Sequence, residues 1–187
     1  MAQIGKNVVT HGASGKLGNQ VVFRQTGNQT IMAIAPGKRT KPLTDPQLQH
    51  LQQFKEAVLY AKSVMDEPDK KAEYKAAAKN GETAYNVAVG DFLKLPEVNE
   101  LDISQYTGQV GNKIRIRATD NFKLTNVTAT IYKADNTILE TGPATSNGNG
   151  LDWYYTVTHQ NSSITGCKVK VTVTDTPGHK VEMEQML

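Results

Sequence analysis

Residues 8–18, Val8-Val9-Thr10-His11-Gly12-Ala13-Ser14-Gly15-Lys16-Leu17-Gly18, place glycines at the spacing that lets a dinucleotide pyrophosphate approach a backbone turn. That chemistry would also need an uninterrupted Thr-Gly step, a helix opening behind the glycines and an acid to hold the ribose. His11 interrupts the step, residues 19–25 carry Val21-Val22-Phe23 and run into Gly27, and the first acid is Asp45. No strand-helix-strand continuation follows, so no nucleotide cofactor is expected. Nor is this a phosphate loop, because Gly12 and Gly15 stand too close and Lys16 precedes Leu17 rather than a hydroxyl residue. His11, His50, His159 and His179 are scattered, and no serine sits in a nucleophile setting. His50 reads as a solvated helix residue with no second metal ligand nearby. Cys167 is the single cysteine, which rules out an intrachain disulfide and a multi-cysteine metal site. Its alternation with Val169, Val171 and Val173 predicts a buried, inert thiol. Asp66-Glu67 falls at a helix start, where negative charge suits the dipole alone. The expectation is a chain that is not an enzyme, with no catalytic, cofactor-binding or metal-ligating residue.

What could organise the chain instead is residues 15–35. Two runs of β-branched and apolar residues, Gln20 to Gln25 and Thr30 to Ala35, flank Thr26-Gly27-Asn28-Gln29, and Gly27 or Asn28 takes positive φ cheaply. This predicts a β-hairpin with Val21 and Phe23 on one face. Ile31, Ala33 and Ala35 alternate with Met32 and Ile34, so both faces of the second strand are apolar. Two strands alone are not stable in water. The missing cover must come from the chain itself or from another copy of it.

Length and composition set the frame. With 187 residues, 38% apolar and 21% charged, the chain has the make-up of a soluble globular protein of one medium or two small domains. No stretch approaches the ~20 apolar residues of a membrane span, and the beginning shows no signal-peptide pattern. The net charge of +3 conceals an asymmetry. Up to Thr44 the charges are Lys6, Lys16, Arg24, Lys38, Arg39 and Lys41, with no acid; from Asp45 to Glu100 acids outnumber bases. Such a segment could meet phosphates or the acidic middle of a neighbouring copy.

In chain order, residues 1–18 read as a glycine-rich extended arm with one short strand at 7–10. Pro36 to Pro42 is a basic, extended connector. Thr44 or Asp45 caps a helix with Pro46 in its first turn, and Leu48, Leu51, Phe54, Val58, Ala61 and Met65 follow at helical spacing as a packing face. Asp69 to Lys79 forms a second helix ended by Asn80-Gly81, and a third covers about Thr83 to Lys94. Pro96 to Tyr106 reads as a boundary. Strands are expected at 113–118, around Val127, Ala129 and Ile131, and at 138–141, 152–158, 166–174 and 180–186, with a loop at 143–150 and Trp153 at the centre of the core. The fold class is α+β: an N-terminal hairpin arm (1–44), a helical region (45–96) and a C-terminal antiparallel β-sandwich (103–187).

Arg117-Ala118-Thr119-Asp120 and Val171-Thr172-Val173-Thr174-Asp175-Thr176-Pro177-Gly178 make this last part resemble the immunoglobulin-like modules of bacterial surface and assembly proteins, without the antibody disulfide. Ser14-Gly15-Lys16-Leu17-Gly18-Asn19 with Val21-Val22-Phe23-Arg24, then Pro36, Thr44 and Gln47, is similar to the N-terminal pattern of small bacterial and phage-type structural proteins. That likeness covers about Gly12 to Tyr60 and implies a structural or virion-type role.

These readings converge on a self-assembling structural subunit of a filament, surface appendage or virion-like particle, polymerising with copies of itself by N-terminal strand exchange. Val21, Phe23, Ile31 and Ile34 are the expected interface anchors, with Arg24, Lys38 and Arg39 facing acids near Asp66 to Glu73. The alternative is nucleic-acid binding through the basic arm, although the arm lacks the aromatic residues of single-strand binders. A third reading is carbohydrate or cell-surface adhesion through Tyr154 and the loop Ser146 to Gly150. An assembled particle or extracellular appendage is the expected location.

Overall fold

The structure is a computed structural model that describes residues 1–187 apart from 1, 5–9, 11, 27, 28, 39 and 80, and describes only the backbone of 2–4. The chain divides into two compact units, residues 1–51 and 52–187.

In the first unit, β1 (Ala2–Ile4), β2 (Gly15–Leu17), β3 (Val21–Thr26) and β4 (Gln29–Ile34) form an antiparallel sheet in the order β1-β4-β3-β2. Strands β3 and β4 are the expected hairpin, with Thr26 opposite Gln29; the turn at 27–28 lies outside the described residues. The third strand it needs is present on both sides and comes from the same chain: Gln3 lies opposite Ile31, and Lys16 opposite Val22. The extended arm is therefore partly strand. Of the short strand expected at 7–10, positions 7–9 lie outside the described residues and Thr10 sits in a turn. The Gln25 side chain fastens the hairpin, donating from Nε2 to the Ala13 carbonyl at 2.7 Å and to Thr30 Oγ1 at 2.9 Å.

Helix α1 (Asp45–Asp66) begins where Thr44 N donates to Gln47 Oε1 at 3.2 Å, with Pro46 in the first turn where its missing donor costs nothing. Its buried residues are Ala57, Ala61 and Val64, whereas Leu48, Leu51 and Phe54 are exposed. The expected packing face is corrected accordingly: its amino-terminal half is uncovered, and small alanines carry the contact. Helix α2 (Pro68–Ala77) opens on Pro68, a residue sooner than expected because proline suits the first helical position. Helix α3 (Ala84–Leu93) is capped by Thr83, whose hydroxyl accepts from Asn86 N at 3.2 Å.

Eight strands complete the second unit: β5 (Glu97–Asp102), β6 (Lys113–Thr119), β7 (Leu124–Tyr132), β8 (Ile138–Pro143), β9 (Thr145–Ser146), β10 (Asp152–Thr156), β11 (Lys168–Asp175) and β12 (Lys180–Met186). They build two antiparallel sheets, β5-β6-β10-β9 and β12-β11-β7-β8. In chain order, the first, second, sixth and fifth strands share one sheet and the eighth, seventh, third and fourth the other, the Greek-key arrangement of immunoglobulin-like sandwiches. Strand β5 lies in the stretch expected to be a boundary, and β9 in the stretch expected to be a loop. Strict alternation buries Ile114 and Ile116, Val127, Ala129 and Ile131, and Val169, Val171 and Val173 between the sheets. Tyr155 and Val157 join that core, while Trp153 is only half-buried at its rim rather than central. At one sheet edge, Glu182 and Glu184 of β12 reach Lys170 at 2.7 Å and Lys168 at 3.1 Å.

Helix α1 from Gln52 onward, α2, α3 and the sandwich belong to this one unit. Phe122, in the turn between β6 and β7, stacks on Tyr74 at 4.2 Å between ring centres, Phe92 meets His179 edge-on at 4.8 Å, and Lys123 pairs with Glu73 at 3.3 Å.

Candidate functional site

The register of the N-terminal sheet sorts its side chains into two faces. Leu17 lies opposite Val21, Val21 opposite Ile34, and Phe23 opposite Met32, so these five share one face. Ile34 is 87% exposed and Leu17 68%, with Val21, Phe23 and Met32 half-buried. Val22, Ile31 and Ala33 occupy the other face beside Lys16 and the exposed Arg24. A sheet buries an apolar face against a second layer. Both large apolar cores lie within the second unit.

The sequence-expected anchors are thus split. Val21, Phe23 and Ile34 come together on the more exposed face, Ile31 and Arg24 lie on the reverse, Lys38 is exposed beyond β4, and Arg39 lies outside the described residues. Further along the unit, Leu43, Pro46, Gln47, His50 and Leu51 line an open apolar cleft of about 420 Å³. His50 is exposed there, in keeping with a solvated helix residue.

Three titratable arrangements appear in the second unit that sequence reasoning did not find. Tyr74 donates to Asp91 Oδ2 at 2.5 Å and meets the Tyr60 hydroxyl at 2.8 Å, while Asp91 Oδ1 is buried without a partner among the described residues. Burial pushes Asp91 up to about 6; the Tyr74 bond and His179 oppose that rise, and the Asp120 and Asp175 charges add to it. Burial also drives the Tyr74 phenol far above its ordinary range. Glu140 accepts from Thr158 N at 2.9 Å, Thr158 Oγ1 at 2.5 Å and His159 N at 3.1 Å. Burial raises the Glu140 carboxyl, but these donors outweigh it and hold the group below its ordinary value. Facing the same carboxylate, the buried Tyr155 phenol is pushed up to about 12. Asp175 accepts from Gly178 N and His179 N at 2.7 and 2.6 Å, and its Oδ2 lies 2.8 Å from His179 Nδ1.

Each arrangement fastens backbone or helices. Asp91 and Tyr74 lock α3 to α2, Glu140 holds the turn after β10, and Asp175 closes the turn into β12. Cys167 is buried, its thiol donating to the Ser163 carbonyl at 3.1 Å. No group of three potential metal ligands occurs among the described residues. Among the same residues, no helix is long and apolar enough to cross a membrane.

No family model matches the chain. No curated protein matches it either. Among solved structures, an engineered protein aligns at 16% identity with a TM-score of 0.35, covering 58% of this chain and 28% of that one.

Proposed function

We propose that this chain is a non-enzymatic structural subunit that assembles with copies of itself through its N-terminal unit and displays the β-sandwich. The observation that carries this reading is the clustering of Leu17, Val21, Phe23, Met32 and Ile34 on one sheet face, where Leu17 is 68% and Ile34 87% exposed. Packing two such faces together would bury Leu17 and Ile34 between two sheets. The β1–β4 pairing spans only the three residues of Ala2–Ile4, so a neighbour's amino-terminal strand could make the same contact. Strand exchange and face packing are compatible routes to one assembly. Filament, surface appendage and virion-like particle all fit a subunit of this kind.

Light scattering of the full chain against its Ile34→Asp variant tests the proposal. The expected result is an oligomer that dissociates when Ile34 is charged. A wild-type chain that stays monomeric up to its solubility limit would refute it.

A second reading draws on Lys16 and Arg24, which share the reverse face of the sheet. Such a basic face suits a phosphate backbone. Binding to a single-stranded oligonucleotide would then weaken steeply with salt, and an affinity indifferent to salt would remove this reading.

A further inference from the structure

The outer face of the β5-β6-β10-β9 sheet carries a polar cleft of about 480 Å³ lined by Lys113, Thr145, Ser146, Asn147, Tyr154 and Thr156. Strand pairing assembles it: Tyr154 of β10 lies opposite Thr145 of β9 on one side and Arg115 of β6 on the other, and Thr156 lies opposite Lys113. Tyr154 is half-buried, so its ring is held on the sheet while part of it meets water.

The charges on this face are unevenly matched. Arg115 pairs with Glu100 at 2.7 Å and Asp102 at 3.4 Å, and Arg117 with Asp152 at 3.0 Å. Lys113 has no carboxylate partner among the described residues; its ammonium lies 6.0 Å from the Tyr154 ring centre. Of the remaining lining groups, Ser146 Oγ accepts from Gly148 N at 3.2 Å. The hydroxyls of Thr145, Thr156 and Tyr154 and the Asn147 amide form no hydrogen bond with described residues and stand ready for an outside partner.

The rim is fixed in advance. Asn149 Oδ1 accepts from Leu151 N at 2.9 Å and Asp152 N at 2.8 Å, its Nδ2 donates to Asp152 Oδ2 at 2.7 Å, and Asn147 N donates to the Asp152 carbonyl at 2.9 Å. Ordering a loop before a ligand arrives removes that cost from binding.

From one aromatic surface, several free hydroxyl and amide groups and one unmatched cation, we infer that this cleft binds an acidic saccharide, a pyranose ring bearing a carboxylate. The apolar side of the ring would lie on Tyr154, its hydroxyls would meet Thr145, Asn147 and Thr156, and its carboxylate would meet Lys113.

Backbone-amide NMR titration of the full chain with trigalacturonate and with neutral galactotriose tests this. Shifts should cluster at Lys113, Asn147, Tyr154 and Thr156, with the acidic sugar bound about fivefold more tightly. Tyr154→Ala should weaken both sugars about tenfold, while Tyr154→Phe, which keeps the ring, should retain binding and so separate loss of the platform from loss of fold. Lys113→Gln should abolish the preference for the acid and spare the neutral sugar. The inference is overturned if neither sugar produces localised shifts at its solubility limit, or if Tyr154→Ala binds as the wild type does. It is also overturned if tripolyphosphate reproduces the pattern as strongly as trigalacturonate, which would reveal a bare anion site.

Discussion

The Tyr74 hydroxyl donates to Asp91 Oδ2 at 2.5 Å, joining α2 to α3 at a point where both residues are fully buried. The carboxyl's other oxygen has no partner among the described residues, and burial first, then the Asp120 and Asp175 carboxylates, disfavour its charge. Burial, with these neighbours, therefore biases Asp91 toward its neutral form, so that it keeps its proton to a higher pH than a free carboxyl does.

This preference fixes a sign. A carboxyl raised from 3.8 to about 6 on folding contributes stability that is full below 3.8 and is lost as pH rises through 6. Relative to the wild type, Asp91→Asn should remove a pH dependence on the order of 3 kcal/mol between acid and neutral pH. Urea unfolding of both proteins at a series of pH values measures it; parallel profiles would refute the assignment.

Glu140 has the opposite sign. Held below its ordinary 4.5 by donors from Thr158 and His159, it stabilises the fold above that value and loses its contribution as pH falls through its lower folded value. Glu140→Gln should cost about 2 kcal/mol at neutral pH and flatten the acid limb of the stability profile. The same urea series detects it.

Two glycines should respond oppositely to alanine. Gly108 has φ +83°, and an added Cβ would stand 2.3 Å from the Asn161 carbonyl oxygen, where Asn161 N also donates to the Gly108 carbonyl at 2.8 Å. Gly108→Ala should destabilise by roughly 2–4 kcal/mol, from backbone strain and displacement together. Gly90 is an exposed residue of α3 with open space around its added Cβ, so Gly90→Ala should stabilise by about 0.5–1 kcal/mol. Thermal unfolding distinguishes the pair.

Leu48 and Leu51 are 49% and 43% exposed on α1. Replacing both with Gln should change monomer stability by no more than about 0.5 kcal/mol. If this helix face extends the assembly surface, the same variant should shift the light-scattering mass downward. An unchanged mass would confine assembly to the sheet.

Much of the architecture follows from local pattern. Thr83 announces α3, Pro46 announces α1, and the alternation Lys113 to Thr119 puts isoleucines inward and arginines outward as their period requires. Strand β5 escapes that reading because only Val98 and Leu101 are apolar in Glu97–Asp102, and a register shift between Val98 and Glu100 breaks the period. Strand β9 is two residues long and shows no period at all. The α1 stripe misled because leucine and phenylalanine outweigh alanine in any hydrophobic pattern, yet Ala57 and Ala61 are the residues close packing admits. Asp91 and Tyr74 lie seventeen positions apart, and only tertiary structure joins them.

The ladder of β11 lysines and β12 glutamates has a consequence for how the proposed subunit could grow. Lys180, Glu182 and Glu184 place charge at every second position of this outer strand, a pattern that disfavours pairing edge to edge with a neighbour. In the proposed assembly, attachment would then fall to the amino-terminal unit, leaving the sandwich edge free of further contacts.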